Sequence, residues 1–270
     1  MGKLDELFKP LKREKERSEI EVLEEIEGYL DSGDIPPAIE AIGYLEKEAN
    51  IYLALRMILR AIRRRLGEDL SQDEVEELHG KVKGLIPIIN GAFNTRFKAL
   101  LMADLAVVLY SLDDELNADI ALRTAINLAG GEADLLRDIL QELIHNGLLD
   151  KAGYAMKMVS DRSKLDVVLS ELAEMFYRAN DVEKASKIIE HISSPFHRAM
   201  SLANIAELEA NRDREKALEL LDTAMKLAEA IKDDETRVEL GIKLYSIQQE
   251  IEGKGFSLER ILTRKEDPPG

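Results

Sequence analysis

A short phrase recurs along this chain at intervals of about 33 residues, and this period constrains the fold more than any other feature. NDVEKASKII at 180–189 returns as RDREKALELL at 212–221, with weaker copies at 148–156 (LLDKAGYAM) and 114–122 (DELNADIAL). The alanines of these copies, together with one in DIPPA, are Ala38, Ala118, Ala152, Ala185 and Ala217. A unit of this length cannot bury its apolar face alone, so the period predicts copies that stack on one another.

Apolar residues precede the alanine at the spacing of one helix face. Leu169, Leu172, Ala173 and Phe176 lie at i, i+3, i+4 and i+7, on the same side of an α-helix. Three other copies repeat the spacing: Val22, Ile26 and Tyr29, with Glu25 at the second position; Met102, Leu105, Ala106 and Leu109; and Leu136, Ile139, Leu140 and Leu143. Each set is followed by a residue type that tolerates left-handed backbone, namely Gly33, Asp113, Gly147 or Asn180. Each copy therefore predicts two helices joined by a tight turn.

Four features of this pattern resemble the tetratricopeptide repeat family of helical hairpins. They are the large residue before the turn, the turn residue, the alanine of the second helix, and the small or aliphatic pair in the first helix (Leu105-Ala106, Ile139-Leu140 and Leu172-Ala173). The resemblance covers residues 18–252, although the chain has no tryptophan and the family's closing proline appears only as a displaced Pro195. It implies an all-α fold, a right-handed α-α superhelix of about six helical hairpins plus a C-terminal capping helix, in which the first helices line a concave groove.

The repeat register also predicts the organisation of the chain. We expect a charged N-terminal arm over 1–17, the repeat domain over 18–252, and a short turn with a disordered tail over 253–270. The predicted hairpins span 18–50, 51–90, 92–130, 132–160, 163–193 and 195–231, and a last helix at 234–252 closes the array with a polar outer face. The second hairpin has an irregular connector over 67–80, in which SQDE at 71–74 predicts a capping box at the start of a helix.

Composition narrows the class of protein. The chain has no cysteine, which excludes disulfides, thiolate catalysis and Cys-ligated zinc. The N-terminal MGKLDELFKP lacks the apolar core of a signal peptide, and the longest apolar run, 99–112, contains Asp104 and is too short for a bilayer. We therefore expect a cytoplasmic protein with no membrane contact. The scarcity of glutamine beside many Glu and Lys residues is typical of heat-adapted proteins.

No candidate catalytic set emerges from the sequence. The four histidines, His79, His145, His191 and His197, lack the spacing of a metal site. DDELNAD at 113–119 has Asn117 where an aspartate-rich diphosphate motif needs a second Asp, so we interpret Asp113 and Asp114 as turn residues that complement a helix N-terminus. We predict no enzyme activity, no metal and no cofactor.

One helix stands out by its charge. IYLALRMILRAIRRRL at 51–66 contains five arginines and no acid, and Arg56, Arg60 and Arg63 share one face. In the register of the resembling family these three arginines line the groove, and the same mapping adds the groove residues Tyr110, Arg137, Gln141, Glu174, Tyr177 and Glu207. Two interpretations remain open. Acids of the first hairpin, such as Glu24 and Glu27, neutralise the row, or the row binds an acidic peptide, a C-terminal carboxylate or a phosphate backbone.

Two classes of function follow. The first is a non-enzymatic interaction scaffold that binds a protein partner in its groove, with an acidic segment as a candidate ligand and self-association left open. The net charge of −16 argues against general nucleic-acid coating. Its uneven distribution nevertheless supports an alternative, a ribosome-associated or other ribonucleoprotein factor, whose phosphate contacts are Lys9, Lys12, Arg13, Lys15, Arg17 and Arg64. A third class, an all-helical enzyme, lacks convergent catalytic residues.

Overall fold

The structure, a computed structural model, describes residues 18–91 and 94–253. These residues form thirteen α-helices and one short 3-10 turn (Ile42–Tyr44), without any strand. The all-α class expected from the repeat is therefore confirmed. The chain divides into two compact units, the first ending at Val159 and the second beginning at Ser160.

Eight helices belong to the first unit and five to the second, counted over the described residues. The first unit contains α1 (Glu19–Asp31), α2 (Ile35–Ala41), α3 (Glu48–Leu66), α4 (Gln72–Ile89), α5 (Thr95–Ser111), α6 (Glu115–Ala129), α7 (Ala133–His145) and α8 (Leu149–Met158). The second unit contains α9 (Arg162–Arg178), α10 (Val182–His191), α11 (Pro195–Glu209), α12 (Arg214–Glu229) and α13 (Asp234–Ile251). The helices pair within the hairpins that the sequence predicts.

The helices of each unit pack in two layers. In the first unit the first helices of successive hairpins lie side by side, with α1 against α3, α3 against α5 and α5 against α7. The second helices α2, α6 and α8 pack on the first helix of their own hairpin, and α4 contacts both α3 and α5. In the second unit α9 packs against α10 and α11, α11 against α12, and α13 against both α11 and α12. Stacking thus gives each short amphipathic helix the partner that it needs for stability.

The repeated residues form the core of these layers. All five alanines of the phrase, from Ala38 to Ala217, are buried, as are the four apolar residues that precede the turn in α5, α7 and α9. Alanine at these positions allows two helices to approach closely, so a larger side chain would overpack the crossing. The burial explains why the phrase tolerates polar variation at other positions but keeps its alanine.

The turns within four hairpins share one backbone conformation. Their three-residue connectors have a central residue with positive φ: Gly33 (81°), Asp113 (56°), Gly147 (78°) and Asn180 (65°). In each turn the next backbone N–H donates to the carbonyl of the large residue five positions earlier, as Asp181 N does to Phe176 O at 2.9 Å. This is the Schellman arrangement, which satisfies carbonyls that the helix end leaves free. The left-handed geometry expected at these four residues is confirmed.

Two hairpins depart from this pattern. The sixth has a four-residue connector, 210–213, in which no residue has positive φ. In the second hairpin the capping box at Ser71 is confirmed, since Ser71 Oγ accepts from Glu74 N and the Glu74 carboxylate accepts from Ser71 N. Because α4 begins at Gln72, the irregular connector is only 67–71, and the predicted range of 67–80 was too long.

The exposed surface of the last described helix is mostly charged. Its exposed residues are Asp234, Glu235, Glu239, Lys243 and Glu250, together with the apolar Val238 and Ile242, which are 58% and 37% exposed. The polar outer face expected for α13 is thus interrupted at two positions. The predicted arm, 1–17, and all of the predicted tail except Gly253 lie outside the described residues.

Candidate functional site

The arginine row lies on one face of α3, in the first unit. The adjacent face of this helix carries Leu55, Ile58 and Leu59, which are fully buried. Burial of that apolar stripe fixes the rotation of α3, so Arg56, Arg60 and Arg63 are held together on the side that meets the neighbouring first helices.

Arg56 is bound by a buried aspartate on α5. Its Nε donates to Asp104 Oδ2 at 2.6 Å, and its Nη1 donates to the hydroxyl of Tyr52 at 2.9 Å. The Asp104 side chain is only 3% exposed, and the Tyr52 ring stacks on Phe97 with the ring centres 4.4 Å apart. The guanidinium is therefore held in one orientation by a charge, a hydroxyl and the packing behind that hydroxyl.

Glu142, on α7, joins the three arginines. Its Oε1 accepts from Arg63 Nη1 at 2.9 Å, and its Oε2 lies 3.8 Å from Arg60 Nη2 and 3.9 Å from Arg56 Nη2. The acids that pair with the row are thus Asp104 and Glu142, not Glu24 and Glu27 of the first hairpin. The difference arises because α3 packs against α5, and α5 against α7, on the side where the arginines lie.

A small cleft opens beside these ion pairs. It has a volume of about 210 Å³ and is lined by Arg56, Arg60, Leu100, Ala103, Asp104, Asp138, Gln141 and Glu142. Asp138 is itself shared between Arg96 (3.6 Å) and Arg137 (3.8 Å). Of the three guanidiniums of the row, Arg60 is the most exposed, at 49%, and among the described residues its ion pair is the long contact to Glu142. Arg60 is therefore the least tightly paired arginine of the row.

Burial shapes the ionisation of this cluster. It raises the pKa of Asp104 to about 6, because the loss of hydration of the carboxylate outweighs the attraction of Arg56, and Glu142 adds repulsion. Burial acts to lower the pKa of Arg56, but the charge and hydrogen bond of Asp104 outweigh it and the pKa lies above its ordinary value. Burial also raises the pKa of Tyr52, which stays a neutral donor and acceptor.

The two tyrosines predicted as apolar contacts for a partner are buried. Tyr110 donates to Asp119 Oδ1 at 2.5 Å, and Tyr177 donates to Glu209 Oε2 at 2.7 Å. Burial, together with these carboxylates, raises the pKa of both hydroxyls. The prediction that Tyr110 and Tyr177 line an open groove is therefore wrong.

Lysines of the repeated phrase cover these aromatic rings. Lys151 Nζ lies 4.5 Å from the centre of the Tyr110 ring, and Lys216 Nζ lies 5.8 Å from that of Tyr177. Lys184 stands in the same way over Phe176, at 5.7 Å. Each of these lysines immediately precedes the buried alanine, so the phrase places a cation over an aromatic ring as well as a small residue at a crossing.

The remaining predicted groove residues have separate environments. Arg137 contacts Asp134 at 3.2 Å, and Gln141 lines the cleft. In the second unit Glu174 accepts a hydrogen bond from Asn204 Nδ2, and Glu207 is exposed. The structure brings Gln141 together with the arginine row, whereas Glu174, Tyr177 and Glu207 belong to the other unit.

The predicted phosphate contacts are described only at Arg64, which is exposed on α3. Its neighbour Arg65 pairs with Glu68 at 2.5 Å and with Glu74 at 3.5 Å. The other five residues of that set, Lys9, Lys12, Arg13, Lys15 and Arg17, lie outside the described residues. The phosphate-binding alternative stays a prediction.

Sequence reasoning did not identify Asp104 and Glu142 as the partners of the row. A signal existed for Asp104, since it is the one charged residue in the run from 99 to 112, where its neighbours are all small, apolar or aromatic except Ser111. A lone acid inside a buried helix needs a cation or hydrogen-bond donors. Glu142 has no comparable signal, because acids are frequent on the exposed faces of these helices.

The acidic stretch at 113–119 forms a helix start. Asp114 precedes α6, its Oδ1 accepts from Asn117 N at 3.4 Å, and its Oδ2 lies 2.8 Å from His79 Nε2. Across residues 18–91 and 94–253, no group of three or more His, Cys, Asp or Glu side chains is placed to hold a metal ion. None of the helices in the same ranges has the length and apolar character that a membrane span requires.

Comparison with known proteins gives no relative: the chain matches no family model, no curated protein and no solved structure.

Proposed function

We propose that this protein is a non-enzymatic interaction scaffold that binds an acidic segment of a protein partner at the cleft between α3, α5 and α7. The observation that supports the proposal is the loose pairing of Arg60, which is 49% exposed at the cleft and lies 3.8 Å from Glu142. A carboxylate of the partner would pair with Arg60, and Gln141 in the same cleft offers an amide donor.

The ion pairs around the cleft support this role by limiting the cost of binding. Arg56 and Arg63 are already held by Asp104 and Glu142 at 2.6 and 2.9 Å, so their side chains lose little freedom when a ligand arrives. The cleft is smaller than the roughly 300–1,000 Å³ of sites for drug-sized molecules. A volume of about 210 Å³ suits a single carboxylate side chain or a chain terminus.

The proposal extends to the shape of the scaffold. We propose that the hairpins follow a right-handed superhelix of the tetratricopeptide type, supported by the two helix layers within each unit and by the shared turns. Small-angle scattering from the full chain tests this, because an elongated superhelix has a larger radius of gyration than the roughly 18 Å of a compact domain of this length. A radius close to the compact value argues against it.

A matched pair of arginine variants tests the cleft. Arg60→Ala removes the loosely paired arginine of the cleft, whereas Arg64→Ala removes an exposed arginine from the same helix without touching the cleft. With a fluorescent glutamate-rich peptide, we expect Arg60→Ala to raise the Kd by about 5- to 30-fold, because a charge-assisted hydrogen bond is lost. Fluorescence anisotropy in low and high salt measures the change.

The Arg64→Ala control distinguishes binding at the cleft from nonspecific electrostatic attraction of the acidic peptide. Arg64→Ala should leave the Kd within about twofold of the unmodified protein, since exposed charges contribute weakly. Equal weakening by the two variants would reject the cleft as the binding site. That outcome, with salt-dependent co-sedimentation of the protein with ribosomes, would favour the phosphate-binding alternative.

A further inference from the structure

Asp104 is a buried acid in the wall of the cleft, and its two carboxylate oxygens are unequally bound. Its Oδ2 accepts from Arg56 Nε at 2.6 Å, whereas the hydrogen bond to Oδ1, from Arg56 Nη2, is long at 3.5 Å. Asp166 of the second unit accepts at both oxygens, from Ser193 N and Ser194 N, each at 2.8 Å. A buried carboxylate oxygen without a close donor is costly while it is charged. A proton on Oδ1 of Asp104 would lower that cost.

The charged groups beside the cleft act on Asp104 with opposite signs. Arg56 and Arg60 of α3 attract its negative charge, and Glu142 of α7 repels it. Asp138, also on α7, lines the same cleft. A ligand carboxylate that pairs with Arg60 would bring a further negative charge to this cleft and would repel the Asp104 carboxylate. Because the Asp104 side chain is only 3% exposed, solvent screens this repulsion weakly.

The titratable groups that the other neighbours of α5 bring against it are bound to other residues. His79 of α4 pairs with Asp114, which follows α5, at 2.8 Å, and Asp119 of α6 accepts from the hydroxyl of Tyr110. Neither pair lines the cleft, so Asp104 is the acid that α5 contributes to it.

We propose that the cleft takes up a proton together with its acidic ligand and that Asp104 binds this proton, an inference that rests on the function proposed above. The proton comes from solvent and binds Oδ1 while the ligand carboxylate pairs with Arg60. A neutral Asp104 no longer compensates the charge of Arg56, which then attracts the ligand more strongly. The Arg56 guanidinium keeps its place, since Tyr52 still accepts from its Nη1 at 2.9 Å.

The direction of the pH dependence follows from this linkage. Burial raises the pKa of Asp104 to about 6 in the free protein. A bound anion raises that pKa further, because it disfavours the charged carboxylate. Below about pH 6 the free protein already carries the proton, so the affinity for the ligand does not change with pH. At higher pH the ligand binds together with a proton from solvent, so the affinity falls as the pH rises.

Peptide titrations of the full chain across pH test the inference. The probe is the fluorescent glutamate-rich peptide, whose own side chains stay mostly ionised above about pH 5.5. We expect its Kd to rise about 5- to 10-fold from about pH 5.5 to about pH 8, as for a bound anion that raises the pKa of Asp104 by about one unit. Asp104→Asn mimics the neutral acid, so its Kd should stay within about twofold across this range, near the value of the unmodified protein at low pH.

Calorimetry counts the proton in the unmodified protein and does not depend on the folding of a variant. Titration of the peptide at about pH 7, in two buffers with different ionisation enthalpies, should give an uptake of about half a proton per bound peptide. Arg64→Ala leaves the cleft intact, and it is the matched control, which should show the same uptake.

The outcomes distinguish this inference from the proposed function. Binding that Arg60→Ala weakens, but that takes up no proton, overturns the inference and keeps the site for an acidic segment. Uptake that persists in Asp104→Asn also overturns it, because another group, such as His145 of α7, then binds the proton. Absence of peptide binding at every pH rejects the proposed function and this inference with it. Uptake that is lost with Asp104→Asn and kept with Arg64→Ala supports Asp104 as the proton acceptor.

Discussion

Two buried aspartates, one in each unit, have different partners and different consequences. Asp104 in the first unit holds the guanidinium of Arg56, whereas Asp166 in the second unit accepts from the backbone N–H groups of Ser193 and Ser194, each at 2.8 Å. Asp166 thereby joins α9 to the segment that starts α11, and its role is structural. Asp104 instead orients a side chain at a cleft. The role of a buried aspartate in this protein therefore depends on its partner. Bound to backbone N–H groups it connects two helices, and bound to an arginine side chain it orients that side chain at a cleft.

The largest expected effect concerns the pH dependence of stability through Asp104. Its pKa is raised to about 6 in the folded protein, above the roughly 3.9 of an unfolded aspartate. The folded state thus favours the protonated carboxyl, so this stabilisation is complete below about pH 4 and is lost as the pH rises through about 6. A shift of about 2 pKa units corresponds to at most about 3 kcal/mol.

Asp104→Asn, which cannot titrate, is the reference for this effect. The free energy of unfolding of the unmodified protein, minus that of the variant, should decrease between pH 4 and pH 7. Urea unfolding at four pH values measures the difference, and subtraction removes the contributions of other carboxylates. A difference that does not change with pH would show that the Arg56 charge fully offsets the cost of burial.

The next largest expected effect is the loss of stability on replacing Asp166, which distinguishes its role from that of Asp104. Asp166→Ala leaves two backbone N–H groups without their acceptor, and we expect a loss of about 2 kcal/mol in the free energy of unfolding. Amide hydrogen exchange should accelerate at Ser193 and Ser194, while the binding of a glutamate-rich peptide by the first unit stays unchanged. Asp166→Asn keeps one acceptor oxygen and should lose about half as much. A change in peptide affinity would contradict the assignment of Asp166 to a structural joint.

The smallest expected changes in stability come from substitutions at Gly147 in the first unit and at Asn180, the equivalent turn residue in the second unit. Gly147 and Asn180 have the same role, but only glycine adopts this backbone without cost. No atom lies within 4 Å of a Cβ built on Gly147, so Gly147→Ala should cost about 1 kcal/mol through the backbone alone. Gly147→Asn should cost less, and Asn180→Gly should change stability by a few tenths of a kcal/mol. Thermal unfolding of the three variants measures this order, and an equal cost for Ala and Asn would contradict it.

The functional proposal depends on the same contrast between the units. In the first unit, a guanidinium remains at Arg60 after Asp104 and Glu142 have paired with its neighbours. In the second unit, the groove residue Tyr177 is buried beneath Lys216 and bound to Glu209. We therefore propose that the ligand binds to the first unit, where Arg60 is loosely paired at the cleft.

Much of the fold was predictable because it follows from local rules. The turn at Asn180 could be placed because few residue types adopt left-handed backbone, and the burial of Ala185 because its period matches that of the other alanines. The helix start at Ser71 follows from a four-residue motif. These features depend on residues that lie close together in the chain.

The site was predictable only in part. The shared face of Arg56, Arg60 and Arg63 follows from helix geometry, and Gln141 lines the same cleft as Arg56 and Arg60. The burial of Tyr110 was not predicted, because the residues around its ring include some far along the chain, such as Lys151, 41 positions later.

The sequence by itself determined the repeating unit: which residues form helices, where they turn, and which face of each helix is apolar. Only the tertiary structure decided which charges meet. Arg63 and Glu142 are separated by 79 residues and come together because α3, α5 and α7 pack side by side. Secondary structure is set by interactions over a few residues, whereas an ion pair between helices depends on how apolar faces stack, and many acids in this chain could have served as the partner.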